Sequence, residues 1–144
     1  MRGARRPCSI AAVNPVTPTP PVSKKMLWSG RVMSAVPVLL LVMSGVMKLA
    51  KPQSVVDGFV HLGFPLSQLG GLGVLELLCT AIYLIPRTSV LGAILLTGYL
   101  GGATVTGLRV GDPTFPMPAI LGVLVWGGLF LRDPRVRALI PFRS

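Results

Sequence analysis

Long runs without a charged residue constrain this chain more than any other feature. No Asp, Glu, Lys or Arg occurs between Arg87 and Arg109, nor between Asp112 and Arg132. About 20 apolar residues are needed for a helix to cross the hydrocarbon core of a bilayer. Two segments therefore have the length and composition of membrane spans, and two further apolar stretches precede them.

The overall composition agrees with this interpretation. Hydrophobic residues make up 51% of the 144 residues and charged residues 12%, and the mean hydropathy is +0.72. A soluble domain carries about 25% charged residues, and so short a chain has too little interior to bury apolar helices on every face. We predict an all-α fold, an integral membrane four-helix bundle.

The four expected spans are separated by connectors rich in proline, glycine and charge, and they cover residues 32–49, 66–85, 88–108 and 117–131. Pro37 should kink or reshape the first helix. Pro86 and Arg87 end the second span, so the second and third helices should be antiparallel neighbours. The fourth stretch is shorter than a bilayer prefers.

The connector at residues 51–65 has a pattern of its own. Its apolar residues recur at helical spacing, and they are Val55, Val56, Phe59, Val60 and Leu62. This pattern predicts a short amphipathic helix at the membrane surface, with Pro52 in its first turn.

Residues 1–26 are basic and rich in proline and threonine, and they lack the apolar periodicity that packing needs, which predicts a disordered tail. Prolines interrupt the apolar core that a secretory signal requires, so we expect none. Residues 22–28 resemble the start of a membrane protein, which makes 1–21 a candidate product of a misassigned gene start. The spans then occupy 27–137, followed by a cytoplasmic tail at 138–144.

The basic residues predict the orientation in a bacterial inner membrane. With the N-terminus in the cytoplasm, eleven Lys and Arg lie inside and three, Lys48, Lys51 and Arg109, lie outside. The positive-inside rule therefore places both termini in the cytoplasm. Topology and attraction to anionic lipids account for the net charge of +10. The basic residues are spread over three separate pieces, so no nucleic-acid partner is expected.

Glu76 is the candidate intramembrane polar site, because it lies near the middle of the second span, where a carboxylate is costly and needs a partner. Tyr99 should lie at a similar depth on the third span, and Thr80 is one turn away. Lys48, Arg109 and Asp112 are assigned to the outer rim, from which Lys48 and Arg109 would need a long reach to Glu76. Glu76 is then either a proton or ligand site or a hydrogen-bonded link between helices.

Small residues predict close helix packing. Gly98 and Gly102 form a GxxxG pair, continued by Ala103 and Gly107, and Ser67 and Gly71 form a similar pair on the second span. Packing of the second helix against the third explains these residues more simply than a homo-oligomer, which stays an alternative.

The remaining reactive side chains indicate no metal site. Cys8 and Cys79 share no metal-binding or redox spacing, and His61 is the only histidine in the sequence. Cys79 is expected to be a small buried apolar residue.

Several segments together resemble the DoxX-like family of small bacterial membrane proteins with four helices. They are SGVMKL at 44–49, LGFP at 62–65, LGVLE at 72–76, YLIPRT at 83–88, GAILLTGYLGGA at 92–103 and LRD at 131–133. The resemblance covers the chain from about Lys24 onwards and excludes the tail.

The resemblance implies a membrane subunit or scaffold of a quinone-linked redox complex, not catalytic by itself, with a soluble or membrane oxidoreductase as partner. A quinone is implied by the resemblance alone, and no other cofactor is expected. In a second hypothesis the chain itself binds quinone or acts as an enzyme, with Glu76 and Tyr99 handling protons while Trp126 and Phe130 line an apolar ring site. A third is a small proton-coupled transporter that works as an oligomer, with Glu76 as the coupling carboxylate.

Overall fold

The computed structural model describes residues 24–134 and 136, and within them the protein is all-α. Its helices, in chain order, are α1 (Lys24–Ala50), α2 (Gln53–His61), α3 (Ser67–Leu84), α4 (Ser89–Val110) and α5 (Pro116–Arg132). The four longer helices form a bundle in the cyclic order α1, α3, α4, α5. The short α2 connects the first two of them, so the predicted fold class is confirmed.

Three helices are long and apolar enough to cross a membrane, at Leu27–Ala50, Ser67–Leu84 and Ser89–Val110, and the shorter apolar Pro116–Arg132 is the fourth. The first span begins earlier than predicted, because α1 already starts at Lys24 and continues through the buried Pro37. Residues 24–26 therefore belong to a helix and not to the predicted tail. Residues 1–23 and 138–144 lie outside the described residues.

Glycine contacts define the register of the antiparallel neighbours. A Cβ on Gly73 of α3 would lie 3.1 Å from the carbonyl oxygen of Gly45 on α1, and one on Gly30 would lie 3.2 Å from that of Gly128 on α5. A Cβ on Gly92 of α4 would overlap the main chain of Tyr83 on α3. Glycine lets these helix backbones approach closely, as membrane helices require.

The predicted role of the Gly98 and Gly102 pair is wrong. A Cβ added to Gly71, Gly98 or Gly102 would meet no atom within 4 Å, so these residues do not mediate contact between α3 and α4. Gly107 does pack closely, but against Phe115 of the α4–α5 connector. The spacing of small residues does not show which side of a helix faces its neighbour.

The bundle has two ends, and the short helix marks one of them. The α2 end contains α2, the start of α3 and the connector from α4 to α5, while the opposite end contains the α3–α4 turn. α4 stops at Gly111, whose left-handed φ of 71° allows hydrogen bonds back to the last turn. On α2, Phe59 is buried and its ring centroid lies 5.4 Å from that of Phe64.

Candidate functional site

Glu76 is buried and belongs to a partly buried polar cluster that joins α1 to α3. Its Oε2 atom lies 2.8 Å from Nζ of Lys48 and accepts a second hydrogen bond, of 3.2 Å, from Oγ of Ser44. The Lys48 ammonium also donates to Oγ of Ser44 at 2.6 Å. Glu76 is only 2% exposed, and the Lys48 side chain 17%. We call Ser44, Lys48 and Glu76 the polar cluster.

Helix geometry explains why these side chains meet. α1 and α3 approach closely at Gly73, where an added Cβ would lie 3.0 Å from Cβ of Lys48 and 3.1 Å from the carbonyl oxygen of Gly45. Glu76 follows Gly73 by three residues, so its Cα lies about 4.5 Å further along α3 than the glycine beside Lys48. Helical side chains tilt toward the N-terminus of their own helix, so in an antiparallel pair these two converge.

The assignment of Lys48 to the outer rim is therefore corrected. The depth of the backbone alone does not include the length of the Lys48 side chain or its direction toward Ser44. Lysine commonly places its charge several ångströms from its own Cα. In the structure, the Lys48 ammonium is the charged partner of Glu76.

The other two predicted members of the site differ in their relation to Glu76. Thr80 donates a hydrogen bond of 2.8 Å to the main-chain carbonyl of Glu76. This bond lies within α3 and does not involve the Glu76 carboxylate. Tyr99 approaches from α4, with Glu76 and Cys79 as its electrostatic neighbours. The structure thus brings Tyr99 close to the polar cluster and leaves Thr80 out of it.

The remaining rim residues lie at the α2 end and do not contact Glu76. Arg109 donates a hydrogen bond of 2.8 Å to the carbonyl of Leu62, which ties α4 to the end of α2. Asp112 accepts hydrogen bonds from the main-chain amide of Thr114 at 2.8 Å and from its hydroxyl at 2.7 Å. These bonds lower the pKa of Asp112, and the nearby His61 lowers it slightly further.

A cavity of about 690 Å³ lies beside the polar cluster, between α3 and α4. We call it the α3/α4 cavity. Its lining is mostly apolar, with Lys48, Tyr99 and Cys79 in the wall and Asp112 and Thr114 at the α2 end. Its size is in the range of pockets that bind small organic molecules.

Trp126 and Phe130, the predicted lining of a ring site, lie elsewhere. They line a second groove of about 720 Å³, between α4 and α5. The indole Nε1 of Trp126 donates a 2.8 Å hydrogen bond to Oγ1 of Thr97 across this groove. The two aromatic residues therefore lie together but in a different groove from Tyr99 and away from Glu76, which contradicts the predicted combination of all four in one site.

Sequence reasoning missed a second polar network, which is centred on the fully buried Tyr83. Its hydroxyl lies 3.0 Å from both Oγ of Ser34 and the carbonyl of Val125, and its single proton serves one acceptor at a time. The Arg132 guanidinium lies 4.7 Å from the ring centroid and donates to the Tyr83 carbonyl at 3.3 Å. The sequence signal for this network is a tyrosine near the end of one apolar helix together with an arginine at the end of another.

Within the described ranges, no three His, Cys, Asp or Glu side chains lie close enough together to hold a metal ion. Cys79 is buried and carries a free thiol, as expected for an apolar packing residue. Cys8 lies outside the described residues.

Fold and site together define a small helical membrane protein in which the buried Glu76 pairs with the partly buried Lys48 beside a mostly apolar cavity. A model of the DoxX-like family matches residues 32–128, two thirds of the chain, and the protein belongs to that family. The match includes both segments that supply the polar cluster, 44–49 and 72–76. No curated protein and no solved structure matches the chain.

Proposed function

We propose that this DoxX-like protein is a multi-pass subunit or scaffold of a quinone-linked redox complex in the bacterial inner membrane. It serves by binding and positioning and does not catalyse a reaction by itself. Its physiological partner is a soluble or membrane oxidoreductase, and its membrane domain comprises residues 27–137 with both termini in the cytoplasm.

One observation carries this proposal, namely the ion pair of Lys48 and Glu76 beside the α3/α4 cavity. The opposite charges cancel, so the polar patch that Lys48 and Glu76 form beside the mostly apolar cavity carries no net charge. Such a patch suits an uncharged molecule from the membrane, such as a quinone, better than it suits an ion. The pair also links α1 to α3, which favours a binding or structural role for Glu76.

Affinity purification from native membranes tests the proposed role. We expect an oxidoreductase to co-purify with the protein, together with quinone. Glu76→Gln should keep both the partner and the activity of the complex, because the amide oxygen can still accept hydrogen bonds from Lys48 and Ser44. A complex that stays assembled but loses activity would instead assign Glu76 a part in proton transfer.

The alternative function is a proton-coupled transporter that works as an oligomer. Glu76 supports it as an acid buried in a membrane helix, but coupling would require the carboxylate to leave Lys48 in each cycle. Reconstituted protein should then show proton-linked flux in liposomes that Glu76→Gln abolishes. Absence of such flux, with an oxidoreductase still co-purifying, decides for the subunit.

A further inference from the structure

The α3/α4 cavity results from a change in the spacing of two helices. α3 and α4 touch where Gly92 meets the main chain of Tyr83. Further along α4, a Cβ on Gly98 or Gly102 would meet no atom within 4 Å, and both residues line the cavity. The two helices therefore diverge toward the α2 end, and the absence of side chains on these glycines keeps the gap open.

Aromatic and aliphatic side chains line the wide end of this gap, toward α2. Phe59, Leu62, Phe64 and Phe115 line it there, and the hydrogen bond from Arg109 holds Leu62 in place. The sides are different, since Leu75 on α3 and Ile94 on α4 line the cavity and are each about half exposed. A route into the cavity thus runs sideways, between α3 and α4, at a depth where a membrane protein faces lipid.

The polar side chains beside the cavity determine which chemical class of ligand it can bind. The Lys48 ammonium has three donors, of which Ser44 and Glu76 take two, and its side chain reaches the cavity. Tyr99 lines the cavity on the α4 side, next to Glu76. Glu76 would repel an anion and Lys48 a cation, whereas a neutral carbonyl group can accept from the ammonium.

We propose that the α3/α4 cavity binds the carbonyl head group of a neutral lipophilic molecule at Lys48 and Tyr99, with its tail leaving between α3 and α4 into the bilayer. This inference rests on the proposed function, which makes a quinone the ligand. It places the ring away from Trp126 and Phe130.

Photolabelling of the full chain in nanodiscs tests this site. The probe is an azido-benzoquinone with a decyl tail, competed by the same quinone without the azide. We expect competed labelling on α3 and α4 around Cys79 and Gly98. Gly98→Leu should weaken competition about tenfold or more by filling the cavity. Tyr99→Phe should weaken it about fivefold through loss of one hydrogen bond.

Gly101→Leu is the matched control, because Gly101 is equally open but lines the groove between α4 and α5. It should leave labelling unchanged within about twofold. Competed labelling on α5 near Trp126 that Gly101→Leu removes would overturn the proposed site while leaving a quinone-linked function intact. Absence of any competed label would also overturn the proposed site. The proposed function would then be tested separately, by whether an oxidoreductase co-purifies with the protein.

Discussion

At the scale of single residues, Glu76 shows how a costly side chain is accommodated. A carboxylate in the middle of a membrane-crossing helix costs about 2.5–3.5 kcal/mol on insertion scales. In this protein it is 2% exposed and bonded to both Lys48 and Ser44. Its charge is therefore balanced inside the protein, and the residues that balance it come from one turn of α1.

Replacing one member of this ion pair should destabilise the protein more than replacing both members. Lys48→Met leaves a buried carboxylate without its counter-charge, and we expect a loss of about 3 kcal/mol in the free energy of unfolding. The double variant Lys48→Met, Glu76→Met removes both charges and should recover most of that loss. Unfolding by SDS or by heat in detergent measures both variants. Equal stability of the single and double variants would contradict a direct charge pair.

At the scale of helices, the glycines of the bundle have two different roles. Gly45, Gly73 and Gly92 lie where helix backbones touch, while Gly98 and Gly101 lie beside open space. The first group determines the register of the bundle. The second leaves room beside α4, both in the α3/α4 cavity and in the groove next to α5.

The two roles predict opposite effects of one substitution on α4. In Gly92→Ala the new methyl group overlaps the main chain of Tyr83, and separating α3 from α4 should cost about 1–3 kcal/mol. In Gly101→Ala the methyl group meets nothing, and the better helix propensity should add about 0.5–1 kcal/mol. Detergent melting curves of the two variants, compared with the parent protein, give the sign of each effect. A destabilised Gly101→Ala would show that a second copy of the chain packs on this side of α4.

At the scale of the whole molecule, the antiparallel bundle places the start of α1 and the end of α5 at the same end. The distribution of Lys and Arg predicts that this end faces the cytoplasm. α2, the connector from α4 to α5 and the rim residues Arg109 and Asp112 would then face the periplasm.

Cysteine labelling in spheroplasts checks this orientation. In a Cys8→Ser background, Ser54→Cys on the exposed side of α2 should react with a maleimide that does not cross membranes. Ser144→Cys should react only after the membrane is permeabilised. The reverse pattern would indicate the opposite orientation. The Cys8→Ser protein without an added cysteine is the control for labelling of the buried Cys79.

The sequence by itself determined the elements of this protein and its membrane class. Helix lengths, uncharged runs and the prolines between them depend on local chemistry and on lipid as the solvent, so four apolar helices, the short α2 and the need of Glu76 for a partner could all be predicted. The segments of the DoxX-like family were also recognisable without coordinates.

Only the tertiary structure decided which residues meet. The partnership of Lys48 with Glu76 depends on where α1 crosses α3 and on side-chain directions, and neither is encoded in residue spacing. The openness of Gly98 and Gly102, the separation of Trp126 from Tyr99, and the network around Tyr83 depend likewise on helix rotation. A helix has the same hydropathy whichever side it turns inward, so these contacts follow from the packing of all four helices together.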